Sequence, residues 1–285
     1  MPQSLARRLL KPALVFTAAT AAFRAVIRLA VSEWTAQMTW NYIWIALMLV
    51  AFIALAVIGR KTSERVQPVE RFRFPQAITY LFGGFLMGFS SLLDAFLWYR
   101  ERIVPAPSAV VMSKMDQIVM LLQMIFGVLA GVYLVMRGAD RLSGRSRNGF
   151  GFRLASLLPL LWAAMLLVRY EMSYISAIDI GQSFYDVALL VLTVLYLFMS
   201  AKYAALSAPF SKSFFAVSLF TAVFSLSAAV LRVVLWFAGE KVTSYHAGDV
   251  FTLPLLGVGL MAAVSTVVFA CAPVQQETEE ADGQQ

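Results

Sequence analysis

The sequence predicts an all-α protein, a polytopic transmembrane bundle of about eight helices built as four helical hairpins. Three observations predict it. The 285 residues are 60% hydrophobic and only 14% charged, whereas soluble domains carry about 25% charged residues. Apolar runs of about 20 residues, the length that crosses ~30 Å of hydrocarbon, recur along the chain. The basic residues gather in alternate connections, which is the positive-inside pattern of a membrane protein.

The expected spans run over 12 to 31, 41 to 59, 76 to 99, 115 to 136, 152 to 170, 184 to 204, 213 to 237 and 250 to 272. Arg7, Arg8 and Lys11, then Arg60, Lys61, Arg65, Arg71 and Arg73, then Arg137, Arg141, Arg145, Arg147 and Arg153, then Lys202 and Lys212 fall at the N-terminus or in connections on one side. The other side holds Arg100, Arg102, Lys114, Arg169 and Lys241. This bias places both termini in the cytoplasm of a cell-membrane protein and makes the net charge of +7 an orientation signal, not a nucleic-acid footprint. The whole of 1 to 272 reads as one transmembrane domain, and the acidic tail from 273 to 285 reads as a disordered cytoplasmic end.

The first span carries two charges. With entry near Pro12, Arg24 falls about 18 Å in, just past the midplane, and Arg28 lies nearer the outer interface. Thr17, Ala21, Arg24 and Arg28 share one stripe of the helix, so the arginines are expected to face the bundle interior. The basic start and small residues of this span resemble a signal peptide, but the apolar run continues past both arginines, so the span is expected to be retained.

In the third span Asp94 is the acid placed well inside, and it is the expected counter-ion of Arg24 or Arg232. The third and fourth spans carry Gly84 with Gly88 and Gly127 with Gly131 at GxxxG spacing, which marks close helix contact. Asp116, Met120, Gln123, Gly127 and Gly131 line one face of the fourth span. Pro159 in the fifth frees a carbonyl and predicts a kink. In the seventh, Thr221, Ser225, Ala228 and Arg232 repeat the small-and-polar stripe below an arginine. Asp116, Asp186 and Asp249 are expected to open returning helices as caps, and Trp34, Trp40, Trp98, Tyr99, Tyr170, Tyr174, Trp236 and Tyr245 to form an aromatic belt at the outer boundary.

A repeat underlies these positions. Outgoing helices close on a glutamate in LAVSE, LWYRE, LVRYE and LWFAGE, at Glu33, Glu101, Glu171 and Glu240, with spacings of 68, 70 and 69 residues. Such a period signals repeated supersecondary units. Arg28, Asp94, Arg169 and Arg232 keep step with it.

Enzymatic readings find little support. The single cysteine, Cys271, excludes an intramolecular disulfide, and the single histidine, His246, excludes a multi-histidine metal site. No Walker loop, HExxH, CxxC or dinucleotide fingerprint stands in a suitable context, so no cofactor, metal or catalytic group is expected. The segments FYD and HAGD resemble the aspartate motifs of intramembrane aspartyl proteases, but His246 stands where that family has its first glycine. Both aspartates also open helices at the surface, where they do not meet to share a proton.

The functional expectation is a permease or ligand-binding membrane protein for a small anionic or zwitterionic solute, held by Arg24, Arg28 and Arg232 with Asp94 and Gln123. The alternative is a non-transporting subunit or sensor in which the same charges are internal ion pairs and the basic loops dock partner proteins or anionic lipid.

Overall fold

The computed structural model describes residues 3–30, 34–60, 72–103, 114–145, 149–174, 180–206, 212–237 and 252–271. Among them the chain is all-helical: α1 (Gln3–Ala30), α2 (Trp34–Arg60), α3 (Arg73–Ile103), α4 (Lys114–Ser143), α5 (Phe150–Ala155), α6 (Leu158–Tyr174), α7 (Ile180–Leu206), α8 (Lys212–Phe237) and α9 (Thr252–Cys271). Counting α5 with α6 as one broken span, eight helices traverse the bundle. Seven of these are long and apolar enough to cross a membrane, and α2 adds the shorter apolar stretch Tyr42–Ala54. The protein is a multi-pass membrane protein.

Helix ends lie where breakers or charges stop them, not where the apolar runs end. The expected fourth span stops at 136 before a loop from 137 to 152; in the structure α4 continues to Ser143, so Arg137 and Arg141 are helical. The helix stops at Gly144, whose φ of 75° lets the chain reverse and the amide of Arg145 bond Asp140 O at 3.0 Å. That is a Schellman closure, which needs a left-handed residue that only glycine adopts at no cost. Arg73 Nε donates to the carbonyl oxygen of Arg141, tying the start of α3 to the end of α4. Arg73, Arg141 and Arg145 mark this side of the bundle as its basic end.

Pro159 acts as the sequence suggests. With no N–H it cannot bond Ala155 O, and the span breaks at Ser156 and Leu157 into α5 and α6. The broken turn is closed by shorter bonds, Ser156 N to Arg153 O at 3.2 Å and Leu157 N to Leu154 O at 3.0 Å.

In cross-section α1, α2, α7, α6, α4, α3 and α9 form a closed ring in that order, each touching the next. Helix α8 packs inside it, on α9, α1, α7 and α2. Of its span 78% is enclosed, against 56% or less of the other six long spans, and its polar side chains Ser218, Thr221, Ser225 and Ser227 are buried with it. The main core gathers Trp162, Tyr196, Phe214, Met48, Met87 and Leu166.

Glycines set the tightest crossings. A Cβ on Gly131 would stand 2.7 Å from both Gly84 O and Gly88 N, and one on Gly84 would stand 2.7 Å from Gly131 O. Backbones that close leave no room for a methyl group. On the opposite side α3 meets α9 the same way, with a Cβ on Gly257 only 2.8 Å from Gly83 Cα. Chain-order hairpins pack unequally: α3 with α4 and α8 with α9 are intimate, whereas α1 touches α2 mainly through Trp44, stacked on Phe23 at 4.6 Å and on Phe16 at 5.8 Å.

Candidate functional site

Polar side chains from six helices join across the half of the bundle opposite the basic end. On α1 the buried face is Thr20, Ala21, Arg24, Ala25 and Ile27. Helical periodicity alone aims Arg24 inward, and it is only 6% exposed. Its guanidinium carbon lies 3.5 Å from the centroid of the Tyr185 ring on α7. Tyr185, itself 3% exposed, shares a hydroxyl–hydroxyl hydrogen bond with Ser227 on α8, and its ring stacks on Phe224 at 4.7 Å. A tyrosine face attracts a guanidinium by about 2 kcal/mol or more when both are desolvated. It does not neutralise the charge, and no carboxylate among the described residues pairs with Arg24.

Asp94, 9% exposed on α3, lies within electrostatic reach of Arg169 of α6; of the two partners expected, Arg24 rests on Tyr185 instead, and the side chain of Arg232 lies outside the described residues. Arg169 Nη1 also donates to Gln123 Oε1 on α4 at 3.0 Å. The physical reason is the ring order: α3, α4 and α6 are consecutive neighbours, whereas α1 packs on α8 and α9. Asp94 and Arg169 lie 75 residues apart in the chain, on α3 and α6.

The two groups are linked. Tyr170, next to Arg169, donates to Asp186 Oδ2 at 3.4 Å, and Asp186 is next to Tyr185. A polar chain thus runs Gln123, Arg169, Tyr170, Asp186, Tyr185, Arg24. Two expectations are corrected here. Asp186 lies six residues into α7 and caps nothing at its start. Tyr170 is 6% exposed inside the core and does not belong to the aromatic belt, although Trp40 and Tyr99, 49% and 61% exposed, fit it.

Of the residues singled out in the sequence, the structure joins Gln123 to the Asp94 pair and leaves Arg24 on Tyr185. The side chains of Arg28 and Arg232, like the whole of Asp249, lie outside the described residues. Gly84 and Gly131 sit in backbone contacts, and Gly127 lies against the side chains of Ser91 and Trp162; at Gly88 it is the backbone that Gly131 touches, and a Cβ there would have 3.8 Å of room.

Sequence reasoning read Arg169 as a charge near a helix end and Asp186 as a cap, did not single out Tyr185, and, at the basic end, counted Arg137 among the connections. Counted as a loop charge, Arg137 lies in α4, where its guanidinium carbon is 4.8 Å from the Tyr80 ring centroid and its Nη1 donates to Tyr133 Oη at 3.2 Å. Tyr133, four residues earlier on the same helix face, was the available signal. No cluster of His, Cys, Asp and Glu among the described residues can hold a metal ion.

Comparison of the chain with protein-family models, curated proteins and solved structures gave no match in any of the three.

Proposed function

We propose that the protein binds a small anionic or zwitterionic solute in the half of the bundle containing Arg24, and that it serves as a permease of the cell membrane with both termini in the cytoplasm. One observation carries this reading: a guanidinium 6% exposed, held over an aromatic face, with no carboxylate partner among the described residues. A charge held in a low-dielectric interior is costly unless compensated. A solute carboxylate or phosphate supplies the missing compensation, and the planar guanidinium can bind it through two parallel hydrogen bonds. Asp186, reached through Tyr185, lies close enough to meet the cationic end of a zwitterion. The Asp94 pair with Arg169 stays available as the proton-exchanging group of a coupled step.

A second reading, a non-transporting subunit or sensor, draws on Asp94 lying within electrostatic reach of Arg169, which in turn donates to Gln123. In that reading Arg24 fastens α1 to α7.

Thermal unfolding of the purified protein in detergent, screened against small anions and zwitterions, separates the two. A ligand at 100 times its Kd stabilises by about 2.7 kcal/mol. The proposal expects a solute that raises the Tm of the wild type and has no effect on a folded Arg24→Gln variant, followed by uptake of that solute into proteoliposomes. Absence of any solute effect, with early melting of Arg24→Gln, overturns it in favour of the fastening role.

A further inference from the structure

We infer that the basic end of the bundle holds a second oxyanion-binding station, centred on Arg137 and caged by Tyr80 and Tyr133. Its service to the same solute rests on the reading of Arg24 given above; the binding itself does not.

The two arginines occupy matching places. Arg24 lies six residues before the end of α1 and Arg137 six before the end of α4. Helix α1 starts at the basic end, where Leu9, Leu10 and Ala13 pack on Phe215 and Phe269, whereas α4 finishes there. At 1.5 Å per residue, the Cα of each arginine is therefore roughly 9 Å from a helix end, at opposite ends of the bundle. Each rests on a tyrosine ring, at 3.5 Å for Tyr185 and 4.8 Å for Tyr80. Helix α7 serves both, since Tyr185 touches Arg24 and Tyr196 lies within electrostatic reach of Arg137.

The surroundings of Arg137 select an anion. Its partners among the described residues are phenols, and none is a carboxylate. A phenol can donate as well as accept, so the cage can turn hydroxyl hydrogens toward an incoming oxyanion. Independently, the chain break places the buried Ser156 hydroxyl inside the span, where it donates to Arg153 O at 2.6 Å. Ser156 stands beside the Tyr133 hydroxyl, and Tyr133 packs on Phe152 at 5.2 Å between ring centroids. A guanidinium and a serine hydroxyl therefore converge on one phenol.

Arg141 follows Arg137 by one turn on the same face of α4, and Arg145 beyond it is exposed, so basic charge leads from the surface toward Arg137 past the buried Asp140. The ligand chemistry is a phosphate-class oxyanion, whose oxygens fit the guanidinium fork. It can arrive as the headgroup of an anionic lipid or as free phosphate.

The test uses the full chain in neutral detergent, with thermal unfolding read in two arms. One arm titrates inorganic phosphate against chloride at equal ionic strength; the other places the protein in neutral-lipid nanodiscs with and without phosphatidic acid. The station predicts a higher Tm in at least one arm for the wild type and for Arg24→Gln, and at least a tenfold weaker response in Arg137→Gln. A response in the lipid arm alone identifies the headgroup as the source, and one in the phosphate arm identifies the free ion. If Arg137→Gln does not fold, Arg137→Lys decides: it keeps the charge but loses the fork, and its response should fall to half or less. A wild type insensitive in both arms, or a variant that responds as the wild type does, overturns the inference. Because Arg24→Gln is scored separately, failure of the outer site leaves this result readable.

Discussion

Arg24 on α1 lies over the ring of Tyr185 on α7, and the hydroxyl of that same tyrosine bonds Ser227 on α8. One side chain thus holds three helices by two different forces, and substitution can separate them. Tyr185→Phe keeps the aromatic face and loses the hydroxyl bond, an expected cost of about 1 kcal/mol, with part of it due to Ser227 losing a buried partner. Tyr185→Leu loses both and should cost about 2 kcal/mol more. Chemical or thermal unfolding in detergent measures both values; equal losses would show that the ring contributes nothing to Arg24.

The Asp94 and Arg169 pair predicts a coupling that Arg24 lacks. Removing one partner of a buried pair leaves an uncompensated charge and costs about 3 to 5 kcal/mol. Asp94→Ala and Arg169→Ala should each be severely destabilising, while the double variant should be far milder than their sum. A double-mutant cycle should return more than about 1 kcal/mol for Asp94 with Arg169, and under about 0.5 kcal/mol for Asp94 with Arg24. The reverse ordering would restore the pairing expected from sequence.

Glycine positions in one motif should respond unequally. Gly131→Ala places a methyl group 2.7 Å from two backbone atoms of α3, so the helices must separate, at about 1 to 3 kcal/mol. Gly88→Ala, with its nearest neighbour at 3.8 Å, fits the space already present and should change stability by less than about 0.5 kcal/mol. Melting temperatures of the two single variants, measured side by side, check this.

Pro159→Ala supplies an N–H that can bond Ala155 O and extend α6 back through Ser156. Amide exchange at residues 157 to 161 should slow several-fold. Unchanged exchange would place the cause of the break in the bond from the Ser156 hydroxyl to Ala201 O, at 3.5 Å, instead of in the proline.

The sequence made the helices legible because apolar length and breakers are local properties. Gly84, Gly127 and Gly131 were legible for the same reason, since spacing on one helix already implies a flat face. Partners were not. Arg169 meets Gln123 across 46 residues and faces Asp94 across 75, and no periodicity encodes which helix stands next to which. Gly83 against Gly257 escaped because neither belongs to a spaced pair. Arg137 was hidden differently: counting arginines to orient the chain treats them all as surface groups, although the helix of Arg137 continues to Gly144.

The central place of α8 has a consequence for how the molecule is made. Helices α1 and α2 leave the ribosome first, yet α8, on which both pack, begins only at Lys212. Until then they have each other, joined by the rings of Phe16, Phe23 and Trp44, and α7, which α2 touches and whose Tyr185 lies under Arg24. The glycine-seamed α3 and α4 can dock as soon as both are inserted, and α6 after them. A nascent chain halted before Lys212 would therefore hold a packed α3, α4 and α6 beside two helices that still lack the partner they share.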